Sequence, residues 1–132
     1  MPEMNGIAVL LCGVGSLVLG GIWYSPMLFA KAWQQAAGLS DEQAKGGNMT
    51  MIFGGAFLLS LVAAAVFAMF IGTEMSLGAA TAAGFSAGLC WVAAAFGINY
   101  LFERRPLRLW LINGGYHTLQ FTLFGLILGA MQ

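Results

Sequence analysis

The chain has 132 residues, 60% of them hydrophobic and 8% charged, with five Lys and Arg, five Asp and Glu and a single histidine. At a mean hydropathy of +0.84 it has too little polar surface to coat a water-soluble fold, which places it among membrane proteins. Its zero net charge says little about partners, but the lack of any extended basic patch gives no sign of nucleic acid and leaves the lipid bilayer as the expected surrounding.

The charges are unevenly placed. Residues 4–30, 46–73, 75–102 and 109–132 contain no Asp, Glu, Lys or Arg, and each run exceeds the roughly 20 residues that cross a hydrocarbon core of about 30 Å. A porin-like barrel needs many short alternating segments, whereas these runs are continuously apolar. The expectation is an all-α fold: one transmembrane domain over 1–132, a bundle of four membrane-crossing helices near 5–24, 41–71, 76–102 and 107–131.

The first span starts after MPEMNG, where Glu3 stands in place of a basic leader, and SPMLFAKAW offers no small-residue cleavage site, so it is expected to be retained. Cys12, Ser16 and Gly20 give it one small-residue face. Tyr24-Ser25-Pro26 reads as a helix end, an N-cap and a proline at the first helical position. A short helix over 26–37 follows, ending at Gly38. Phe29 and Trp33 share a face that Lys31 and Gln34 avoid, as in a helix lying in the headgroup layer.

Ser40-Asp41-Glu42-Gln43 is a capping box with acids in its first turn. It predicts that the second long helix begins near 41, outside the membrane, and runs to 71, loosened at Gly46-Gly47. The third span carries Ala80, Gly84 and Gly88 on one side. Pro106 opens the fourth, and the few residues between them, with Arg104 and Arg105, force an antiparallel hairpin. Cys12 and Cys90 lie about 12 and 22 Å from the outer ends of their helices at the usual helical rise, too different in depth to form a disulfide. Both read as buried small hydrophobes, and with no CxxC the usual thiol redox chemistry and cysteine metal sites drop out.

Taken together, GIWYSPMLFAKAW, GLSDEQAK, NYLFERRPLRLW and LINGGYH resemble the bacterial membrane family known as domain of unknown function DUF1761, over nearly the whole chain. The resemblance implies a four-helix integral membrane protein and brings no activity that can be carried over residue by residue.

The fourth span has three faces at about 100° per residue. Asn113, Tyr116, His117 and Gln120 form a polar stripe; Gly114, Thr118, Thr122, Gly125 and Gly129 form a small face; Ile112, Leu119, Leu123 and Leu126 are expected to touch lipid. Small faces let backbones approach closely where apolar burial no longer drives association, so Gly84, Gly88, Gly125 and Gly129 are helix-packing candidates, the last two toward a second copy. Polar groups inside a bundle most often serve as interhelical hydrogen-bond glue, worth about 0.6 kcal/mol each on average. His117, nine residues from Arg108, lies about 14 Å deep, where a neutral imidazole is far cheaper than a charged one. With no second histidine and no acid at that depth, no metal, haem or other cofactor is expected. Asn99, Tyr100 and Tyr24 sit near the inner interface, as aromatic-belt residues do. Glu103 stands beside Arg104, Arg105 and Arg108, either as a superficial ion pair or as a gate at the inner mouth. Gly21-Ile22-Trp23-Tyr24 and Gly97-Ile98-Asn99-Tyr100 form a faint internal echo of the kind a parallel repeat leaves.

These features favour a non-catalytic bundle that forms a homo-oligomer or joins a membrane complex. The alternative is a channel or carrier for a small polar solute, its path lined by Asn113, Tyr116, His117, Gln120 and Asn99. A multidrug exchanger needs a mid-membrane acid and a dual-topology channel needs a weak Lys/Arg bias; neither is present. No Ser-His-Asp, paired-carboxylate, HExxH or cysteine pattern marks an enzyme. Lys31, Lys45, Arg104, Arg105 and Arg108 all fall on one side of the four spans, which orients the chain in a bacterial inner (plasma) membrane with both termini outside. A reporter fused after Gln132 is therefore expected to be active only in its periplasmic form; activity only in the cytoplasmic form would reverse the topology.

Overall fold

A computed structural model describes residues 5–131; Glu3 and the rest of the MPEM start lie outside them. Among the described residues every regular element is helical. Helix α1 (Gly6–Trp23) is capped by Asn5, whose side chain accepts the Ala8 amide at 3.1 Å. The short helix expected from residue 26 starts later, as α2 (Ala30–Ala37). Ser25 turns the chain instead of capping a helix, its carbonyl accepting the amides of Leu28 and Ala30 at 3.0 and 3.1 Å. Gly38 ends α2 at φ 74, the left-handed stop that a glycine adopts without strain.

The Ser40 capping box forms with both of its bonds, at 3.1 and 2.9 Å, but it opens only α3 (Asp41–Lys45). The long helix expected from 41 is thus two helices. Gly46 and Gly47 break it, and Asn48 caps α4 (Met49–Ile71) afresh by accepting the Met51 amide at 3.1 Å. Capped by Ser76, α5 (Leu77–Ala87) passes through a π turn over Gly88–Ala93 into α6 (Ala94–Glu103). Arg104 closes α6 at φ 59, and α7 (Leu107–Ala130) follows directly after Pro106.

Among the described residues three helices are long and apolar enough to cross a membrane: α1, α4 and the continuous Leu77–Glu103. Helix α7 is as long, at 24 residues, but Asn113, His117 and Gln120 dilute its apolar character. Large apolar side chains such as Phe70, Trp91 and Leu101 stand exposed around the bundle, a surface that water would not tolerate and lipid would. Cys90 is among the exposed residues, contrary to expectation, while Cys12 is fully buried; both are free.

Helix α7 is the central post, packed by α1 on one side and by α5, the π turn and α6 on another, while α4 leans mainly on α1. Helices α5 and α7 meet backbone to backbone. A Cβ on Gly84 would collide with the carbonyl of Phe121, and one on Gly125 with the carbonyl of Ala80. Gly88 lies against His117 and Thr118, with the Thr118 Cα 2.8 Å from where a Cβ would stand. Gly129 lies against Ala80 and Leu77, so the face expected to meet a second copy through Gly125 and Gly129 is covered within the chain. Ile112, expected at the lipid, is buried because α2 and the end of α1 cover that side of α7, whereas Leu119 and Leu126 are exposed. At the terminal end Asn5 donates to the Met131 carbonyl at 3.2 Å, holding the two ends of the described chain together.

Gly84→Ala and Gly125→Ala should each lower stability by about 1–3 kcal/mol through overpacking against rigid backbone. Gly78→Ala, where an added Cβ would meet nothing within 4 Å, should leave stability unchanged or raise it by up to about 1 kcal/mol; unfolding in detergent micelles reads the difference.

Candidate functional site

The polar residues of α7 fall into two groups. At the basic end, Tyr24 at the close of α1 donates its hydroxyl to Asn113 Oδ1 at 2.6 Å, and Asn113 Nδ2 donates to the Tyr100 hydroxyl at 2.9 Å. Trp23 Nε1 donates to the Ile112 carbonyl at 2.8 Å, fastening the same end of α1 to α7. Of these side chains, Asn113 and Tyr100 line a small vestibule of about 280 Å³ walled by Trp33, Glu103 and Arg105. Arg105 and Glu103 pair at 3.4 Å with both side chains about half exposed, and Arg105 also donates to the Ala37 carbonyl at 3.4 Å. Such a pair contributes at most about 1 kcal/mol. Arg104 and Arg108 stand exposed, away from the vestibule lining, so of the four residues expected at the inner mouth only two come together.

Nearer the middle of α7, Tyr116 donates its hydroxyl to the Ser16 carbonyl at 2.9 Å. Gln120, 4% exposed, donates to Ser16 Oγ at 3.0 Å and Ser60 Oγ at 3.2 Å, so α1, α4 and α7 meet on one amide. The Ser16 hydroxyl spends its one proton on the Cys12 carbonyl at 3.0 Å, so it must accept from Gln120. That fixes the amide: its nitrogen faces the serines and its oxygen faces His117 Nδ1 at 2.8 Å. His117 therefore carries its proton on Nδ1 and offers a lone pair on Nε2. Phe96 stacks on the imidazole, with ring centres 5.0 Å apart and planes 12° from parallel, and Tyr116 meets its edge.

Past Gln120, toward the terminal end, the stripe stops. Phe124, fully buried, packs with Ala8, Cys12, Ala64, Phe67, Ala68 and Leu128 in an apolar core. Sideways, however, a cleft of about 470 Å³ opens between α4 and α6, with Ser60, Tyr116, His117 and Gln120 in its lining beside Ala56, Leu59, Val92, Phe96 and Phe121.

Asn99, expected in the same path, is exposed and outside both groups. The partners that the stripe uses, Ser16 and Ser60, are not marked as site residues by any sequence pattern. Ser16 was hidden in a small-residue face, and Ser60 is a lone serine in an apolar helix, for which depth relative to Gln120 is the only signal. Trp110 was also missed; its Nε1 donates to the Ala93 carbonyl at 2.7 Å, at the end of the π turn. Among the described residues no three His, Cys, Asp or Glu side chains come together as metal ligands.

A family model described as "Protein of unknown function (DUF1761)" matches residues 7–129. The chain belongs to this family. No curated protein and no solved structure gives a significant match. The matched region of this DUF1761 member includes α1 through nearly all of α7, so both polar groups and the cleft lie within it.

Replacing Gln120 with Leu should cost about 1–3 kcal/mol, because it strands the His117 Nδ1 proton in a low-dielectric site. Asn99→Ala should change stability by less than about 0.5 kcal/mol; equal losses in thermal denaturation would remove Gln120 from its bridging role.

Proposed function

We propose that this DUF1761 protein crosses the bilayer four times, with α7 as the fourth span and both termini outside a bacterial inner membrane, and that it acts as a non-catalytic, non-conducting bundle that associates with other copies. The observation that carries this reading is the pairing within the stripe: Gln120, Ser16, Ser60, Tyr116 and His117 bond to one another or to backbone, and Phe124 and its neighbours fill the space beyond them. Helix α7 tolerates its polar residues because other helices cover them, which supports its counting as a span despite its lower hydropathy. Helix α2, lying against α7 at the basic end with Trp33 meeting Tyr24 edge-on at 6.0 Å, fits a segment in the headgroup layer. Association is supported by Gly54 and Gly55 of α4, where an added Cβ would meet no other part of the chain within 4 Å and which nevertheless weaken the helix by about 1 kcal/mol each relative to alanine; close approach of another helix explains their use.

The second reading, a carrier or channel, has the vestibule above Asn113 in its favour and the apolar seal at Phe124 against it. A His117→Cys variant with Cys12 and Cys90 replaced should resist a membrane-impermeant thiol reagent added from either side. Rapid labelling would replace the packed bundle with an aqueous path. Gly54→Leu combined with Gly55→Leu should reduce the mass of the detergent-solubilised particle, and an unchanged mass would withdraw association through α4.

A further inference from the structure

The cleft between α4 and α6 has a polar floor that its own protein does not fully use. His117 Nδ1 is committed to Gln120, and no described group bonds to Nε2. Because no buried side-chain nitrogen or oxygen among the described residues lacks a partner, Nε2 is open to space, and the space that His117 lines is the cleft. Ser60 is the complement. Ser16, Thr118 and Thr122 each donate their hydroxyl proton to the carbonyl four residues back, but Ser60 accepts from Gln120 and makes no such backward bond. At 7% exposure it sits on the cleft floor with its proton to give. The floor thus presents one acceptor and one donor, side by side on the same glutamine, under walls made of Ala56, Leu59, Val92 and Phe96.

We propose that this cleft binds a membrane-dissolved alcohol, an apolar molecule whose single hydroxyl donates to His117 Nε2 and accepts from Ser60. A hydroxyl is the smallest group that satisfies both at once. A plain acyl chain would cover the walls and leave the imidazole lone pair desolvated and unpaired. An ammonium ion or carboxylate would bring a bare charge into a site with no counter-charge, since the stripe is neutral throughout. The volume of about 470 Å³ lies within the range of about 300–1,000 Å³ typical of small-molecule sites, and too little of it is available for a further helix, about 10 Å across. The opening faces sideways between two helices, so the molecule enters from the lipid and never crosses water.

The proposal rests on α7 lying within the bilayer, and its test is chosen to fail separately from that reading. The full chain in phosphatidylcholine nanodiscs is photolabelled with hexadecanol carrying a mid-chain diazirine and, in parallel, with the matching hexadecane diazirine. The alcohol should label the peptides containing Ala56 and Val92, unlabelled hexadecanol should displace it, and hexadecane should not. His117→Phe and Ser60→Ala should each weaken labelling roughly tenfold, the equivalent of one hydrogen bond. Val92→Trp, which fills the cleft without touching the glutamine network, should abolish labelling while the protein unfolds at the wild-type temperature. If either polar variant fails to fold, the comparison of the two probes on the wild-type chain and on Val92→Trp decides the matter. Equal labelling by alcohol and alkane, or labelling that survives Val92→Trp, overturns the proposal; with His117→Cys still closed to the impermeant reagent, that result leaves the packed bundle standing.

Discussion

The contact between the backbones of α5 and α7 sets everything around it. With Gly84 on the Phe121 carbonyl and Gly125 on the Ala80 carbonyl, the two axes approach closer than side chains ordinarily permit. In lipid such an approach gains dispersion contact over a long seam where no apolar burial is to be had. It also fixes how α7 is turned. Once its small residues face α5, Asn113, Tyr116, His117 and Gln120 have to look toward α1, α4 and α6, and their partners must come from there.

Those partners are few, and each is used with a definite direction. The single proton of Ser16 goes to Cys12, and from that one commitment follow the orientation of the Gln120 amide and the tautomer of His117. The basic end is secured differently, by aromatic groups: Tyr24 and Tyr100 on Asn113, Trp23 on the Ile112 carbonyl. Between these two fastenings α7 is held rigidly on one side, while α4, which touches it only lightly, leaves the lateral cleft. The polar half and the apolar half of α7 thus do different work: one directs, the other seals.

Much of this was legible in the sequence because it depends on local chemistry. Gly38 stops a helix and the Ser40–Gln43 box starts one, since caps need only neighbours along the chain. The charge-free runs mark the long apolar helices for the same reason. The break at Gly46-Gly47-Asn48 was harder, because a charge-free run starting at 46 and a capping box at 40 each favour a helix and only Asn48, as a second cap, tells them apart. Periodicity alone assigns Ile112 to lipid because it treats α7 as isolated, whereas α1 and α2 cover that side. Polarity and depth alone place Asn99 with the stripe, but it is exposed on the outer side of α6. Ser60 became meaningful only when α4 leaned on α1 and brought it to Gln120, a tertiary event that no local pattern encodes.

The small residues of the third apolar helix that face α7 are Ala80, Gly84, Gly88, Ala93 and Gly97. Their spacing is four, four, five and four residues, and the five-residue step is where the π turn lies. An unbroken α-helix would rotate everything after Gly88 by about 100° for that extra residue, swinging Gly97 off Trp110 and Phe96 off the imidazole. The turn absorbs the extra residue locally, as π-bulges do. Phe96 stays over His117, and the alignment of two distant parts of the chain comes down to counting. In the descent of such a hairpin, a gain or loss of one residue between Gly88 and Ala93 is the change that would disengage one half of the seam and leave the other in place.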